Sequence, residues 1–425
     1  MKPEPLAGIR VVEMSAGVLG PMCGVYLSDM GADVIKVEPP EGDLSRYARG
    51  VENPLPPEAP SPFFTAVNRG KRSVVLDATA PLGSSALLRL LGTADIFLSN
   101  YRSEALARLG IEEPTLRAAN ERIVYAVASG FGGAGPDAGK SMVDGSGQAR
   151  GGLASVTGRP EAPALAGAVV ADSAGGLLLA LAVTTALVSR ERYGVGQRVD
   201  ISALGGQLWL QSWELAHASM TGFVPTAQGP HHPIFAGVYG MYRTADDRGL
   251  FIAGIAKPDD WEALCAFGDI LDVCRDPRWD TNQKRAGFDP KVPYQEVNAL
   301  RPRLKEAFAR RCLAEWEDFL GSRPGIIFHR VQDYGEVLAD EQVAANGYLA
   351  EVDVFNAGPQ RVVGNVVGLS VTPGSVKGGP PSLGEHTEAV LTEVGCSSAE
   401  VTAIRDEARD ALARKLPSMN LKPSD

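Results

Sequence analysis

The chain has little of several things that would announce a function outright. Its 425 residues include only five cysteines and five histidines. Cys23, Cys265, Cys274, Cys312 and Cys396 are scattered and never form a CxxC pair, so neither a disulfide framework nor a zinc spacing is offered. No metal site is expected, and the cysteine usage fits a reducing compartment. Basic residues are outnumbered, 41 Lys and Arg against 51 Asp and Glu, for a net charge of −10. A nucleic-acid partner would need a basic face, so none is expected. A local Arg/Lys cluster for an anionic small molecule is still allowed. Long apolar runs are also missing. The most hydrophobic window, Leu177 to Val188, is too short to span a bilayer and reads as a buried helix, so no membrane partner is expected. The N-terminal MKPEPLAGIRVVEM lacks the apolar core and cleavage site of a signal peptide, which leads us to expect a cytoplasmic protein.

What is present is an alternation of strand-like and helix-like segments. IRVVEM (9–14), DVIKVE (33–38), KRSVVLD (71–77), ADIFLSN (94–100) and RIVYAVASGFG (122–132) read as strands, and MCGVYLSDMGA and GSSALLRLLGT as intervening helices. Such alternation predicts a parallel sheet covered on both faces, with ligand loops at the carboxyl ends of the strands. Gln207 to Met220 reads as one helix, followed by the irregular, Pro- and Gly-rich PTAQGPHHPIFAGVYG. A hairpin-like MYRTADDRGLFIAGI and several helices then suggest a smaller domain, and QRVVGNVVGLS (360–370) returns to a strand pattern. The expected class is α/β: a large domain with a Rossmann-like parallel sheet plus a smaller α+β domain. The expected division is 1–225 for the large domain, 226–325 for the small one with its linker, and 326–425 returning to the large domain.

Three candidate features carry chemistry. The first strand runs into Gly17-x-x-Gly20, and Glu38 ends the next strand, close to the layout of a dinucleotide site. GxGxxG is absent, however, and Pro21 and Met22 stand where close pyrophosphate approach needs glycine, so NAD is not expected. Arg102 and Arg108, in SNYRSEALARLG, follow a predicted strand end and suit a phosphate ligand, or else a solvated helix face. Asp172, in VVADSAGG, is a lone acid between apolar segments. It reads either as a helix N-cap or as an ionised, poorly solvated nucleophile toward an activated acyl group, and both readings can hold together. His231 and His232 suit a turn or lid, His329 a core edge or pocket wall, and His386 a helix start. No Ser/His/Asp triad is recognisable.

Eight segments, in order along nearly the whole chain, resemble the class III CoA-transferases, the superfamily of formyl-CoA:oxalate and carnitine CoA-transferases and α-methylacyl-CoA racemases. They include AGVLGPMCGVYLSDMGADVIKVEPPEGDLSR, NRGKRSVVLD, ADIFLSNYRSEALARLG, ASGFGGAGP, DSAGGLLLALAVTTALVSRERYGVGQRVDIS and PSLGEHTEAVLTEVG. The resemblance implies an acyl-CoA and a carboxylic acid as substrates, with coenzyme A thioester consumed as substrate and no permanently bound cofactor. It implies Asp172 as nucleophile, forming mixed anhydrides and an aspartyl-CoA thioester. It also implies CoA contacts at Val18, Leu19, Leu76, Thr79, Asn100, Tyr101, Arg102, Arg108, Met142, Val143 and Asp144. Pro39 and Thr79 stand where the formyl-CoA member has basic residues, which points to Arg46, Lys71 or Arg72 as replacement phosphate ligands. The implied assembly is an intertwined homodimer, with a heteromer of unlike chains as the alternative. Two other functions remain open: a racemase-like epimerase, disfavoured because Val143 replaces the histidine of its His-Asp pair beside Asp144, and a catalytically silent CoA-binding subunit.

Overall fold

Strands of a parallel sheet are joined by helices that cover both of its faces, so its central strands are buried on both sides. In a computed structural model describing residues 3–419, six strands form the main sheet. They are β1 (Arg10–Met14), β2 (Asp33–Glu38), β3 (Arg72–Val75), β4 (Ile96–Ser99), β5 (Val124–Ser129) and β6 (Arg198–Ser202). They form one all-parallel sheet in the order β3-β2-β1-β4-β5-β6. Val11 of β1 lies opposite Val34 on one side and Ile96 on the other. Strand addition reverses direction between β1 and β4, and such a switch point opens a crevice at the carboxyl ends of the strands.

Among the helices of this unit are α1 (Leu19–Asp29), α2 (Pro81–Leu91), α3 (Ser103–Arg108), α4 (Asp144–Arg150), α5 (Ala171–Tyr193), α6 (Ala203–Leu210) and α7 (Ser398–Met419). Alternation along the strands assigns them to two layers. Val11, Val34, Ile96, Leu98 and Val124 pack with Leu27 of α1 and Leu179 and Val183 of α5. Their neighbours Val12, Ile35, Phe97 and Tyr125 face the other way, against Leu87 and Leu90 of α2 and Ile404 of α7. The C-terminal segment therefore completes the core that the N-terminal segment begins.

The described residues divide into two units. One holds the residues up to Gly151, Ala168–Leu210 and those from Glu341 onward; the other holds Gly152–Gly167 and Gln211–Asp340. The boundaries thus fall at 151/152, 167/168, 210/211 and 340/341, where 225/226 and 325/326 were expected. Two elements explain the shift. The segment from Gln207 to Met220 is not one helix, because Gln211 (φ −95°, ψ 18°) separates α6 from a second helix, Ser212–Thr221. The segment IIFHR is β9 (Ile326–Arg330), which pairs antiparallel with β8 (Gly249–Ile255), itself paired with β7 (Gly240–Arg243). This three-stranded sheet packs on Trp261, Leu304, Phe308 and Trp316, a separate aromatic-rich core. Of the strand-like stretch 360–370, only the first four residues lie in a strand, Gly358–Val363.

The segment expected to be a buried helix lies in α5, which is buried on one side. Leu179, Val183 and Leu187 are buried, but Leu177, Leu181, Val188 and Tyr193 are exposed. By length and composition it is apolar enough to cross a membrane, yet half of its most apolar window lies inside the fold, as in a core helix.

Candidate active site

Asp172 is the second residue of α5, a 23-residue helix that begins at Ala171. It is not the helix cap. That role belongs to Asp144, 28 residues earlier, whose Oδ1 accepts the amides of Ala171 (2.7 Å) and Asp172 (3.2 Å). Its Oδ2 accepts from Gln148 Nε2 at 2.6 Å. Asp144 thus supplies the anion that a helix start favours, and the Asp172 side chain is left for other work. The Asp172 carboxylate is half-buried and makes no hydrogen bond or ion pair among the described residues. Burial, helped by the charge of Asp144, raises its pKa from 3.8 to about 6. The helix amides, which would lower it, are taken by Asp144 instead.

Three loops at the carboxyl end of the sheet build the surroundings. After β1, Gly17 adopts a left-handed conformation (φ +74°) and the chain enters α1 at Val18 and Leu19. Asn100, after β4, clamps this loop: its Oδ1 accepts from the amide of Ala16 (3.0 Å) and its Nδ2 donates to the Ala16 carbonyl (2.7 Å). The start of α1 lies directly on α5, where the missing side chains of Gly175 and Gly176 make room. A Cβ on Gly176 would lie 2.8 Å from the Leu19 carbonyl oxygen, and one on Gly175 2.8 Å from Leu19 Cδ1. After β5, the chain runs through Met142 into α4, and a Cβ on Gly147 would collide with Met142 and lie 2.8 Å from Ala171 Cβ.

Of the expected CoA contacts, the structure therefore gathers Val18, Leu19, Asn100, Met142 and Asp144 around the start of α5. Val143 is exposed beside them. Tyr101 lines a cavity of about 530 Å³ at the ends of β1 and β2, and Arg102 donates to Ser141 Oγ in the loop after β5. Arg108 is exposed at the end of α3. Two of the expected contact residues are engaged within the fold. Leu76 is 1% exposed within the sheet core, so its side chain reaches no ligand. Thr79 is exposed and spends its hydroxyl on Asp77 Oδ1 at 2.6 Å.

The three residues expected as replacement phosphate ligands already have acid partners within the chain. Arg46 is buried and grips both oxygens of Glu38 at 2.7 Å. Burial, the largest influence on Glu38, favours its neutral form, but Arg46, with Lys36 and Ser73, outweighs it and holds the pKa below the usual value. Lys71 is buried against Glu13 (2.7 Å), the Pro21 carbonyl (2.9 Å) and Asn68 Oδ1 (3.0 Å). Burial pulls its pKa down to about 8 against the pull of Glu13. Arg72 is held by Asp33 and Glu393. Arg46 and Lys71 each neutralise a buried acid, as buried charges must, and Arg72 is paired with two partly exposed acids.

His231 and His232 belong to the second unit. Burial, then Arg301, lowers the pKa of His231 to about 4, and His232 lies 3.3 Å from Glu214 and stacks on Trp213. His329 is exposed on β9, and His386 Nδ1 accepts the Ser73 amide at 3.3 Å beside the helix it precedes. Sequence reasoning missed Ser15, Glu41 and Lys415, which line the 530 Å³ cavity. It also missed Gln207, whose fully buried amide packs where a Cβ on Gly151 would collide with it. Among the described residues, no three His, Cys, Asp or Glu side chains gather as metal ligands.

Residues 6–387 match the family model described as CoA-transferase family III. The chain is 33% identical over 398 residues to a succinate–glutarate CoA-transferase of Agrobacterium fabrum, covering 92% of this chain and 96% of the relative. It is 31% identical over 425 residues to a formyl-CoA:oxalate CoA-transferase of Rhodopseudomonas palustris, covering 95% and 96%. Among solved structures, a CAIB/BAIF family protein from Brucella suis superposes with a TM-score of 0.79 at 27% identity, covering 93% of this chain and all of that one.

Proposed function

This chain belongs to CoA-transferase family III and is an enzyme of CoA transfer, and from that premise we propose that Asp172 is the group that carries CoA between two carboxylic acids. The observation that carries the reading is the state of Asp172: half-buried, without a hydrogen-bond partner among the described residues, with a pKa of about 6. A carboxylate stripped of hydrogen bonds is more reactive than a solvated one, and with this pKa about nine-tenths of it is ionised at neutral pH.

In the proposed sequence an Asp172 oxygen attacks the thioester carbonyl of the donor acyl-CoA. The C–S bond breaks, giving a mixed anhydride and a CoA thiolate. The thiolate attacks the Asp172 carbonyl carbon and releases the donor acid as a carboxylate, leaving CoA on Asp172. The acceptor carboxylate then attacks this thioester, forming a second anhydride and freeing the thiolate. Attack of the thiolate on the acceptor acyl carbon yields the new acyl-CoA and restores Asp172. The bonds exchanged are of similar energy, so the cycle needs no nucleotide hydrolysis. Amides of the first turn of α1, which helical geometry leaves without intrahelical partners, are suited to the developing oxyanions. Asn100 fixes the loop that delivers them.

An epimerase at this site would need two proton carriers flanking the α-carbon. Asp144 has both oxygens engaged, and its neighbour Val143 cannot titrate, which supports transfer over epimerisation. The exposed apolar residues Leu177, Leu181 and Val188 of α5, with Trp209 and Leu210 of α6, support a homodimer in which a second copy covers them. The substrate pair is an acyl-CoA and a carboxylic acid. Incubating the protein with succinyl-, acetyl-, formyl- and aromatic acyl-CoA donors against a set of carboxylates, and resolving the CoA esters by chromatography, tests the reading. A new acyl-CoA made by the wild type and not by Asp172→Asn supports it; full exchange by the variant, or α-proton exchange without transfer, contradicts it.

A further inference from the structure

The 530 Å³ cavity lies at the carboxyl ends of β1 and β2 and is large enough for a nucleoside. Pro39, Leu44 and Tyr101 give it apolar and aromatic walls suited to a flat base. Its charged lining is less ordinary. Glu38, at the end of β2, stands where related nucleotide folds place the acid that binds ribose hydroxyls. Here it cannot do so: its oxygens already accept from Arg46 twice (2.7 Å each), from Ser73 Oγ (2.6 Å) and from the Asp43 amide (3.0 Å). Asp43 is likewise engaged, by Lys36 Nζ at 2.8 Å and by the amide and hydroxyl of Ser45 at 2.8 Å.

That leaves Glu41 and Lys415. The Lys415 ammonium lies 2.8 and 2.9 Å from the two Glu41 oxygens. Its side chain is about half exposed, and it is the one cation among the residues lining the cavity. In the same folds a cation at this place, instead of an acid free to bind hydroxyls, marks a ribose that bears a phosphate. Lysine is a point charge on a four-carbon stem, so its head can pass from carboxylate to phosphate without moving the backbone.

We propose that Lys415, brought by α7 from the far end of the chain, receives the 3′-phosphate of the CoA ribose, and that Glu41 is the carboxylate it exchanges for that phosphate. The assignment rests on the CoA-transferase reading above. It supplies a cation where Arg46, Lys71 and Arg72 are each already paired with acids of this chain.

Titration calorimetry of the full-length protein with CoA and with dephospho-CoA, which lacks only the 3′-phosphate, tests it. The wild type should prefer CoA by about tenfold or more, the size of one charge-assisted hydrogen bond. Lys415→Met should bring the two dissociation constants within about twofold of each other by weakening CoA alone. Unchanged dephospho-CoA binding shows that the variant is folded. Glu41→Gln should keep or enlarge the preference. A Lys415→Met protein that still prefers CoA as the wild type does overturns the assignment, as does one that weakens both compounds equally. Loss of the preference in Glu41→Gln overturns the exchange. A wild type that binds CoA and dephospho-CoA equally sinks this proposal alone, whereas one that binds neither removes the CoA reading beneath it.

Discussion

Replacing Asp172 by asparagine should make the protein inactive and, at neutral pH, more stable. The folded state raises the Asp172 pKa from 3.8 to about 6, so it binds the proton more tightly than the unfolded chain does. The ionised form therefore costs stability, and the cost grows as pH rises from about 4 to about 6 and is constant above pH 7. A shift of roughly two pH units corresponds to about 3 kcal/mol; discounting for the part of the side chain that meets solvent leaves about 1.5 kcal/mol. An asparagine of the same shape avoids this cost. About half of the gain should be present at pH 5 and all of it above pH 7. For units of this size, 1 kcal/mol corresponds to roughly 2–4 °C in melting temperature. Thermal unfolding of both proteins, followed by circular dichroism between pH 5 and pH 8, measures it. A variant no more stable than the wild type at pH 8, or with an advantage that does not change with pH, would refute the reasoning. Coupling of stability gained to activity lost is expected where a site holds an unfavourable charge for its chemistry.

Further expectations follow from the same geometry. The acid limb of kcat/KM should fall below about pH 6, where Asp172 becomes protonated; Asp144→Asn, which keeps an oxygen for the helix amides but removes the neighbouring charge, should move that limb to lower pH. Asp144→Ala should also lose the cap, lowering stability by about 1 kcal/mol in denaturant titration. Gly176→Ala places a carbon 2.8 Å from the Leu19 carbonyl, and should cost about 1–3 kcal/mol while raising KM for the acyl-CoA severalfold; unchanged kinetics would argue against Val18 and Leu19 as part of the site. Leu76→Ala should destabilise by about 2–5 kcal/mol and leave KM for the acyl-CoA within about twofold, since Leu76 serves the core.

The fold was largely legible because β-branched strand segments alternate with helical ones along the chain, and DVIKVE became a strand with the bounds it had been given. Asp172 stood out as one acid in an apolar stretch. What could not be read was which long-range partner would claim each polar group. Nothing near VVADSAGG announces that Asp144 caps the helix, and local chemistry alone favoured Asp172 for that place. Arg46, Lys71 and Arg72 looked available because their carboxylates come from other segments: Glu38, Glu13, Asp33 and Glu393. Lys415 lay beyond any local pattern, since only folding returns α7 to the end of β2. The break at Gln211 was hidden by continuous helical periodicity on both sides of it.

The most direct test is to trap the intermediate. The enzyme, mixed with an acyl-CoA donor that supports turnover and quenched with hydroxylamine, should carry a hydroxamate on the peptide containing Asp172 when digested and read by mass spectrometry, and only when donor is present. Turnover that leaves this peptide unmodified, while another residue takes the label or none does, would contradict the account.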